Sequence, residues 1–419
     1  MDRGNLERFV LHAEEPRLHA RKGCRNHLKI CQIQDLAKKG GASIAANRIS
    51  SSLGHYHEIH QISSDLEHSD TLKNKILLSN GRIIKFLELI GSPSFETILR
   101  RLRNKDIQRQ LRKILSISKP DIINIHNIHS SSWPLELIKT ALGFAPVIWT
   151  LHDCWSFLGT YYPLHSIAST SQTLSAMDTF WQSEQVKQSP HKLSAITPSA
   201  WMQSKASASY WDELLVETIH NPIPDSFFEY RDRNSCKLAL GLDTHKPVVL
   251  CVAGNLKEER KGGPILQEII SANLKHQVQF LFIGSGHIGF CNNPSIRSLE
   301  FVEDEVTLKI AYNAADLLLH PAPIDNLPNT VAESMSSGTP VLAFSTGGLP
   351  EMVVPGKSGW LVSEINAPSM IEKLEFVLTS KDYENLREST KELAQLLYDS
   401  YNVGNQYTKH YKTVLYGRK

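Results

Sequence analysis

Two carboxylates eight residues apart, Asp325 and Glu333, stand in the stretch PAPIDNLPNTVAESMSSGTPV (321–341). It passes from an apolar run through a turn rich in Pro and Asn into a short helical segment of Ala, Ser, Met and Val. A charge in such a helix needs a partner, because an unpaired buried carboxylate is costly. Upstream, AGNLKEERKGGPIL sets Arg260 and Lys261 beside Gly262 and Gly263. Two adjacent cations before a helix suit a phosphate or diphosphate; the alternative is a solvated basic turn. Near the start, Gly40 and Gly41 precede a helical pattern, so backbone N–H groups can approach a ligand at the positive helix end, or simply form a turn. The spacing is not G-x-G-x-x-G, which argues against a nicotinamide dinucleotide.

Histidines supply further candidates, in IHNIHSSSW (His126, His129) and LHDCWSF (His152, Asp153, Cys154, Trp155). A zinc site from His126, His129 and His152 lacks a further ligand at zinc spacing. A Cys154 nucleophile served by His152 is disfavoured, since near neighbours in an extended segment do not face each other. A strand-end histidine that hydrogen-bonds a hydroxylated ligand or a developing charge is the stronger functional reading, against one satisfied by backbone groups. The acids Glu303, Asp304 and Glu305 open a helical pattern and read as capping, not chemistry.

Positioning these groups falls to an alternation of apolar runs and amphipathic stretches, the pattern of a parallel sheet covered by helices. Strands are expected at 28–34, 122–126, 146–151, 193–197 and 216–220, with a helix from Ala42. NPIPDSFF (221–228) reads as a linker. A second series follows at 247–254, 278–284, 296–302, 316–320 and 340–344, and the tail from Leu374 is helical. Two α/β halves on a Pro-rich hinge imply a cleft, with ligands at the carboxyl ends of the strands. The expected organisation is a flexible basic extension at 1–27, domains at 28–222 and 223–380, and helices at 381–419 crossing back to the first domain.

At 419 residues, 41% hydrophobic and 21% charged, the chain can bury a sizeable core. A net charge of +2 gives no overall bias toward nucleic acid. Six scattered cysteines without a C-x-x-C pair favour reduced thiols in a cytoplasmic protein. No apolar run reaches the length of a membrane span.

Taken together, nine segments in order resemble the retaining glycosyltransferases of family four, with the GT-B fold. They are KGGASIAANR, DIINIHNIHSSSW, TLHDCWSFLG, AITPSAWM, IHNPIPDSFF, RKGGPIL, FIGSG, the run YNAADLLLHPAPIDNLPNTVAESMSSGTPVLAFSTGGLPEMV, and GKSGWLV. The LHDCW and DNLPNTVAE wording looks most like the branch that builds bacterial capsular polysaccharides or exopolysaccharides. The resemblance implies an α/β GT-B fold, two Rossmann-like doubly wound parallel-sheet domains facing an interdomain cleft. It also implies transfer of a sugar, with retention, from a nucleotide-diphosphate donor to a saccharide acceptor that is itself lipid-linked, without a metal or other cofactor.

Roles follow residue by residue. Lys261 matches the family lysine on the diphosphate, and Asn255 stands where the family has an arginine, with Arg260 as a substitute. Glu333 matches the ribose anchor of the E-x7-E motif, while Asp325 replaces its first Glu and faces the donor sugar. The backbone at Asn326 and Leu327 approaches the sugar; the helix start at Asn329 and Thr330 faces the diphosphate. Gly41 and Gly284 complete the donor side. His152 orients the sugar, and with Lys261, Asp325 and Glu333 it makes up the expected catalytic set. Gly40, His126, Asp153 and Trp155 line the acceptor side. Alternatives are a degenerate GT-B protein that binds without transferring, and a sugar-nucleotide epimerase.

One segment stands apart. ILRRLRNKDIQRQLRKIL (98–115) carries seven cations, Arg100, Arg101, Arg103, Lys105, Arg109, Arg112 and Lys113, against Asp106 alone. Ile107, Leu111, Ile114 and Leu115 keep helical spacing, so one face packs and the other presents charge. That face is either solvated or attracted to anionic lipid headgroups, which would place the protein on the inner face of the cytoplasmic membrane.

Overall fold

The computed structural model describes residues 27–36, 40–65, 75–78, 93–160, 171–272, 274, 277–286, 295–300, 302 and 304–417. Apart from His27, the N-terminal extension lies outside them. In the first half the strands are β1 (Lys29–Ile33), β2 (Glu58–Ser63), β3 (Lys75–Leu77), β4 (Ile122–Ile125), β5 (Val147–Thr150), β6 (Leu193–Thr197) and β7 (Leu215–Thr218). The helices among them are α1 (Gly41–Gly54), α2 (Pro93–Ser118), α3 (Glu136–Leu142), α4 (Trp155–Leu158), α5 (Ser171–Trp181), α6 (Glu184–Lys187) and α7 (Ala200–Ser207). All neighbours pair in parallel, in the order β3-β2-β1-β4-β5-β6-β7, with Ile30 opposite both Ile59 and Ile122.

After the linker come β8 (Val248–Asn255), β9 (Gln279–Ser285), β10 (Ile296–Leu299), β11 (Leu317–His320), β12 (Val341–Phe344) and β13 (Gly359–Val362). Their helices are α8 (Arg233–Ala239), α9 (Gly263–Ser271), α10 (Glu305–Ala314), α11 (Asn329–Ser336), α12 (Leu349–Met352), α13 (Ala367–Ser380), α14 (Arg387–Tyr398) and α15 (Ser400–Tyr416). This sheet is also parallel, ordered β10-β9-β8-β11-β12-β13. Central strands such as β4, β11 and β12 are buried along their whole length, as strands covered on both faces must be. Strand order reverses between β1 and β4, and again between β8 and β11. Such reversals leave a crevice at the strand ends.

Three strands escape the sequence reading. β2 (EIHQIS) is half-buried and polar, β3 spans three residues at the sheet edge, and β13 spans four at the other sheet's edge. β3 and β13 lie at sheet edges and are too short to show a period, while the interior strand β2 is hidden by its polar residues Glu58, His60 and Gln61.

The linker and the tail bind each other. Ile223 is fully buried and its N–H donates to the Tyr398 carbonyl at 2.9 Å. Beyond α14, α15 returns to the first domain, where Val403, Tyr407 and Tyr411 join Ile30, Ile49, Leu53, Ile122 and Ile148 in one apolar cluster. Burying each such side chain contributes roughly 1.5–3 kcal/mol. Polar contacts fix its register: Asn124 Nδ2 donates to the Tyr411 hydroxyl at 2.9 Å, and His410 Nδ1 sits 2.7 Å from Glu217 Oε2.

α2 buries Ile107, Leu111 and Leu115 and exposes Arg100, Arg101, Lys105, Arg109, Arg112 and Lys113. Arg103 departs from the expectation of an outward charge: it is buried, with Nη2 reaching the Ser132 carbonyl at 3.4 Å. Its position four residues before Ile107 places it on the packed face.

Candidate functional site

On the C-terminal side, the chain leaves β8 through an Asx turn in which Asn255 Oδ1 accepts from the Lys257 N–H at 3.0 Å. The next turn, Glu259–Lys261, sends Arg260 and Lys261 in different directions. Arg260 Nε donates to Glu258 Oε1 at 2.8 Å, whereas Lys261 Nζ donates to Asp325 Oδ2 at 2.7 Å. Asp325 is 4% exposed, follows β11 closely, and has His320 Nε2 3.7 Å away. Burial works against its charge, but Lys261 and His320 outweigh burial and hold the carboxyl well below the usual range. Behind it, the Ser345–Leu349 turn packs on the Asp325–Asn326 backbone so closely that a Cβ on Gly348 would lie 1.8 Å from the Asn326 carbonyl oxygen. The Gly348 N–H donates to the Asp325 carbonyl at 3.0 Å. Gly284, expected at the donor, has a structural cause: with φ at 142°, its Cβ would lie 1.8 Å from the Ala253 carbonyl oxygen.

Glu333 is buried in α11 and has two protein partners. Tyr312 Oη donates to its Oε2 at 2.7 Å, and Arg48 Nη2 meets its Oε1 at 2.7 Å. Arg48 comes from α1 in the other domain, itself buried, with its guanidinium 5.4 Å from the Phe227 ring centroid. The carboxylate in this small-residue helix is therefore satisfied without a ligand. Burial, then Glu333, pushes the Tyr312 phenol well above its ordinary value, so it stays a donor.

Two helix starts meet across the cleft. Neither α1, preceded by Gly40 at φ 91°, nor α11, preceded by Pro328, has a side-chain cap. The same holds for α3, α4, α6, α9, α12 and α14, whereas α7, α8, α10, α13 and α15 are capped by Ser199, Asp232, Asp304, Asn366 and Asp399. Asn329 Nδ2 donates to the Gly41 carbonyl at 2.9 Å, joining the two. The partial positive charge of both N-termini is thus directed to one region, with Thr330 in the first turn of α11. Asp304, read as a cap, accepts from the Thr307 N–H at 2.7 Å.

The N-terminal side is built of histidines at the ends of β4 and β5. His126 is fully buried; its Nε2 lies 2.6 Å from Gln32 Nε2 and its Nδ1 2.9 Å from His152 Nε2. His126, expected on the acceptor side, therefore has both ring nitrogens engaged inside the domain. Burial, then the neighbouring imidazole, lowers His126 well below its ordinary value; burial, then His129, lowers His152 to about 4. Asp153 Oδ1 accepts from the Trp155 N–H at 2.9 Å and its Oδ2 is 3.4 Å from His129 Nε2, while His129 stacks on Trp155 at 4.9 Å. Burial raises the Asp153 carboxyl. Cys154 is buried, its thiol pushed up to about 12, which makes it inert as a nucleophile. Among the described residues, no group of three or more His, Cys, Asp or Glu is arranged to hold a metal ion.

Further contacts bridge the domains. Asn326 Nδ2 donates to the His152 carbonyl at 3.0 Å, and Ser199 Oγ donates to Asn326 Oδ1 at 2.5 Å. Glu351 in α12 accepts from the Ala200 and Trp201 N–H groups, each at 2.7 Å. The structure thus brings Gly41, His152, Lys261, Asp325, Asn326, Asn329 and Glu333 to one cleft, and Leu327 packs beside it in the C-terminal core. Asn255 and Arg260 are engaged in their own turn. Sequence reasoning missed Arg48, His320, Tyr312 and Glu351. His320 ends a strand and Arg48 lies on a glycine-led helix, signals that could have marked them.

Residues 246–380 match the profile described as glycosyl transferases group 1. The glycogen synthase of Chlamydia pneumoniae is 28% identical over 157 residues, covering 34% of this chain and 33% of that protein. The chain therefore matches only about a third of that relative's length. Among solved structures, sucrose-phosphate synthase from Thermosynechococcus elongatus aligns with a TM-score of 0.73 at 14% identity, covering 93% of this chain and all of that one. HepE of Anabaena, in complex with UDP-glucose, aligns at 0.67 and 16% identity, covering 92% of this chain and all of that one. At these identities the likeness establishes architecture: two doubly wound parallel sheets facing a cleft, the GT-B fold.

Proposed function

We propose that this chain is a retaining glycosyltransferase that moves a sugar from a nucleoside-diphosphate donor to a saccharide acceptor in cell-surface polysaccharide synthesis. The observation that carries this reading is the Lys261–Asp325 pair beside the uncapped start of α11, inside the region that matches group 1 glycosyl transferases. HepE, aligned over nearly the whole chain, holds UDP-glucose, and a donor of that class suits the charges here.

The chain's own groups divide the work. As the bond from the anomeric carbon to the β-phosphate oxygen breaks, negative charge grows on the diphosphate. Lys261 and the α11 N-terminus stabilise that charge, with the N–H groups at Gly40–Gly41 opposite. Asp325, still an acceptor, reads a sugar hydroxyl once Lys261 turns to phosphate. Glu333 exchanges Arg48 for ribose hydroxyls. The acceptor hydroxyl attacks from the face the diphosphate leaves, its proton passing to a phosphate oxygen, so configuration is retained. No metal is required for charge stabilisation in this scheme. Asp153 and Trp155 lie on the acceptor side, beside His152.

A lipid-linked acceptor is part of the proposal, supported by six exposed cations on α2 together with exposed Ile98 and Leu102. Each basic residue near an anionic surface contributes about 1 kcal/mol, which suits a cytoplasmic protein peripheral to the membrane's inner face. Flotation with vesicles should depend on anionic lipid, and indifference to lipid charge would remove this part.

For the activity, a panel of nucleotide sugars should raise the melting temperature and yield nucleoside diphosphate when acceptor is supplied. At a hundredfold excess over Kd, stabilisation is about 2.7 kcal/mol. Lys261→Ala should lose most diphosphate affinity. No stabilisation by any nucleotide sugar or diphosphate overturns the reading. Binding without turnover would favour a non-transferring GT-B protein instead, the outcome that the engaged Asn255 and Arg260 make worth testing.

A further inference from the structure

Behind His152, a chain of hydrogen bonds runs through the N-terminal domain, and its direction can be read atom by atom. Gln32, on β1, is the link whose orientation is fixed from both ends. Its Nε2 lies 2.7 Å from the Ala46 carbonyl, an oxygen that can only accept, so the amide nitrogen must face it. Its Oε1 meets the Ser50 hydroxyl. Ser50 Oγ in turn accepts from Gln61 Nε2 at 2.9 Å, which leaves the Ser50 proton for Gln32 Oε1.

The second N–H of Gln32 therefore points at His126 Nε2, 2.6 Å away. That ring nitrogen must accept. A neutral imidazole that accepts at Nε2 carries its proton at Nδ1. His126 Nδ1 then donates to His152 Nε2 at 2.9 Å, which must accept as well. The proton of His152 is left at Nδ1, an atom with no hydrogen-bond partner among the described residues. Burial keeps both rings neutral near neutral pH, so each carries the single proton that the chain requires.

We propose that Gln32 and His126 are positioning residues that fix His152 in the Nδ1–H tautomer, so that His152 meets its ligand as a hydrogen-bond donor and not as a base. The domain side of this inference stands on the hydrogen-bond geometry of two neutral rings. Its consequence for sugar binding rests on the transferase reading, in which His152 lies beside Asn326 and faces the donor sugar. A donor at Nδ1 selects an acceptor oxygen on the substrate: a sugar hydroxyl used through its lone pair, or a carboxylate or carbonyl substituent. With Nδ1 already protonated and the Nε2 lone pair held by His126, it has no free lone pair for the proton of an attacking hydroxyl, and burial opposes the charged ring that would result.

The test uses the full chain, labelled with 15N at histidine and free of ligand. Two-bond proton–nitrogen correlations near pH 8, well above the ordinary histidine pKa, distinguish the tautomers. His126 and His152 should both show the Nδ1–H pattern; an Nε2–H pattern or an even mixture at His152 overturns the proposal. Gln32→Glu supplies the reversal, because a carboxylate facing His126 accepts from Nε2–H and inverts both rings. His152 in that variant should shift to Nε2–H, and kcat/KM should fall about tenfold with nucleoside diphosphate affinity unchanged. An unshifted His152 tautomer in a folded Gln32→Glu protein also overturns it. Should the variant not fold, the wild-type tautomers still decide. A chain with the expected tautomers that transfers no sugar would count against the transferase reading and leave the relay standing.

Discussion

Arg48 and Glu333 form a buried pair that joins the two domains, and its energetics set a clear expectation. Removing one partner leaves an uncompensated buried charge, at a cost of about 3–5 kcal/mol. Arg48→Met should lower the unfolding free energy by roughly that amount, and Glu333→Gln by less, since Glu305 Oε1, 3.7 Å from Arg48 Nη2, still faces the guanidinium and the amide can still accept from Tyr312. The double variant should be nearer the wild type than the sum of the two, with a coupling of roughly 2 kcal/mol in urea unfolding. Coupling under about 0.5 kcal/mol would mean that the pair is not a unit. Under the donor reading the same substitution has an opposite effect on ligand binding. A ribose no longer competes with Arg48 for the carboxylate, so Arg48→Met should bind nucleoside diphosphate at least as tightly as the wild type. Calorimetry that finds weakened binding would place Arg48 among the ligand contacts and not against them.

At the scale of elements, α7 shows how one domain completes the other. Its first N–H groups are satisfied by Glu351 of α12 and, at Met202, by Ser199. Replacing a cap costs about 0.5–2 kcal/mol, and a charged, bidentate one belongs at the upper end. Glu351→Ala should speed amide hydrogen exchange at Ala200 and Trp201 by about tenfold, the equivalent of 1.4 kcal/mol, while Met202 changes less. Equal protection at Ala200 in both proteins would show that the cap is formed only part of the time. This contact was invisible in the sequence, because the cap lies 150 residues from the helix it serves. What the sequence does show is periodic: β4, β5, β11 and β12 are short apolar runs with both faces covered, and α1 begins at a pair of glycines, Gly40 before it and Gly41 its first residue. The Asp325–Glu333 spacing singled out a candidate site because a turn and a helix start carry it together. β2 was hidden by its polar residues, yet Gln61 on that strand anchors the chain of hydrogen bonds to Gln32.

Across the whole molecule, neutral histidines sit where the parts join. His57 accepts from the Leu28 N–H through Nδ1 and lies 2.9 Å from Thr408 on the returning α15. His220 reaches the Pro198 carbonyl at 2.7 Å and packs edge-on against Tyr398 at the linker. His126 and His152 stand at the cleft. Burial is the leading cause of a lowered pKa in all four, to about 4 for His57 and His152. A base whose folded pKa is depressed contributes stability that is fully present above its unfolded value, about 6.5. That stability is lost as pH falls toward the folded value, because the unfolded chain takes up protons that the folded one excludes. Each fully shifted histidine adds about 1.4 kcal/mol per pH unit in that window. Urea unfolding between about pH 6.5 and 4.5 should therefore show stability falling with a slope worth more than one histidine. His57→Gln should remove close to one such increment from the slope, because the amide keeps contacts to Leu28 and Thr408 but cannot be protonated. The Asp325 carboxylate, depressed in its turn, adds nothing to this window, since its unfolded counterpart titrates only near pH 3.9. A slope confined to pH below about 4 would assign the acid sensitivity to carboxylates and not to the histidines at the junctions. A slope that begins near pH 6.5 would assign that sensitivity to the buried histidines at the linker, the returning helix and the cleft.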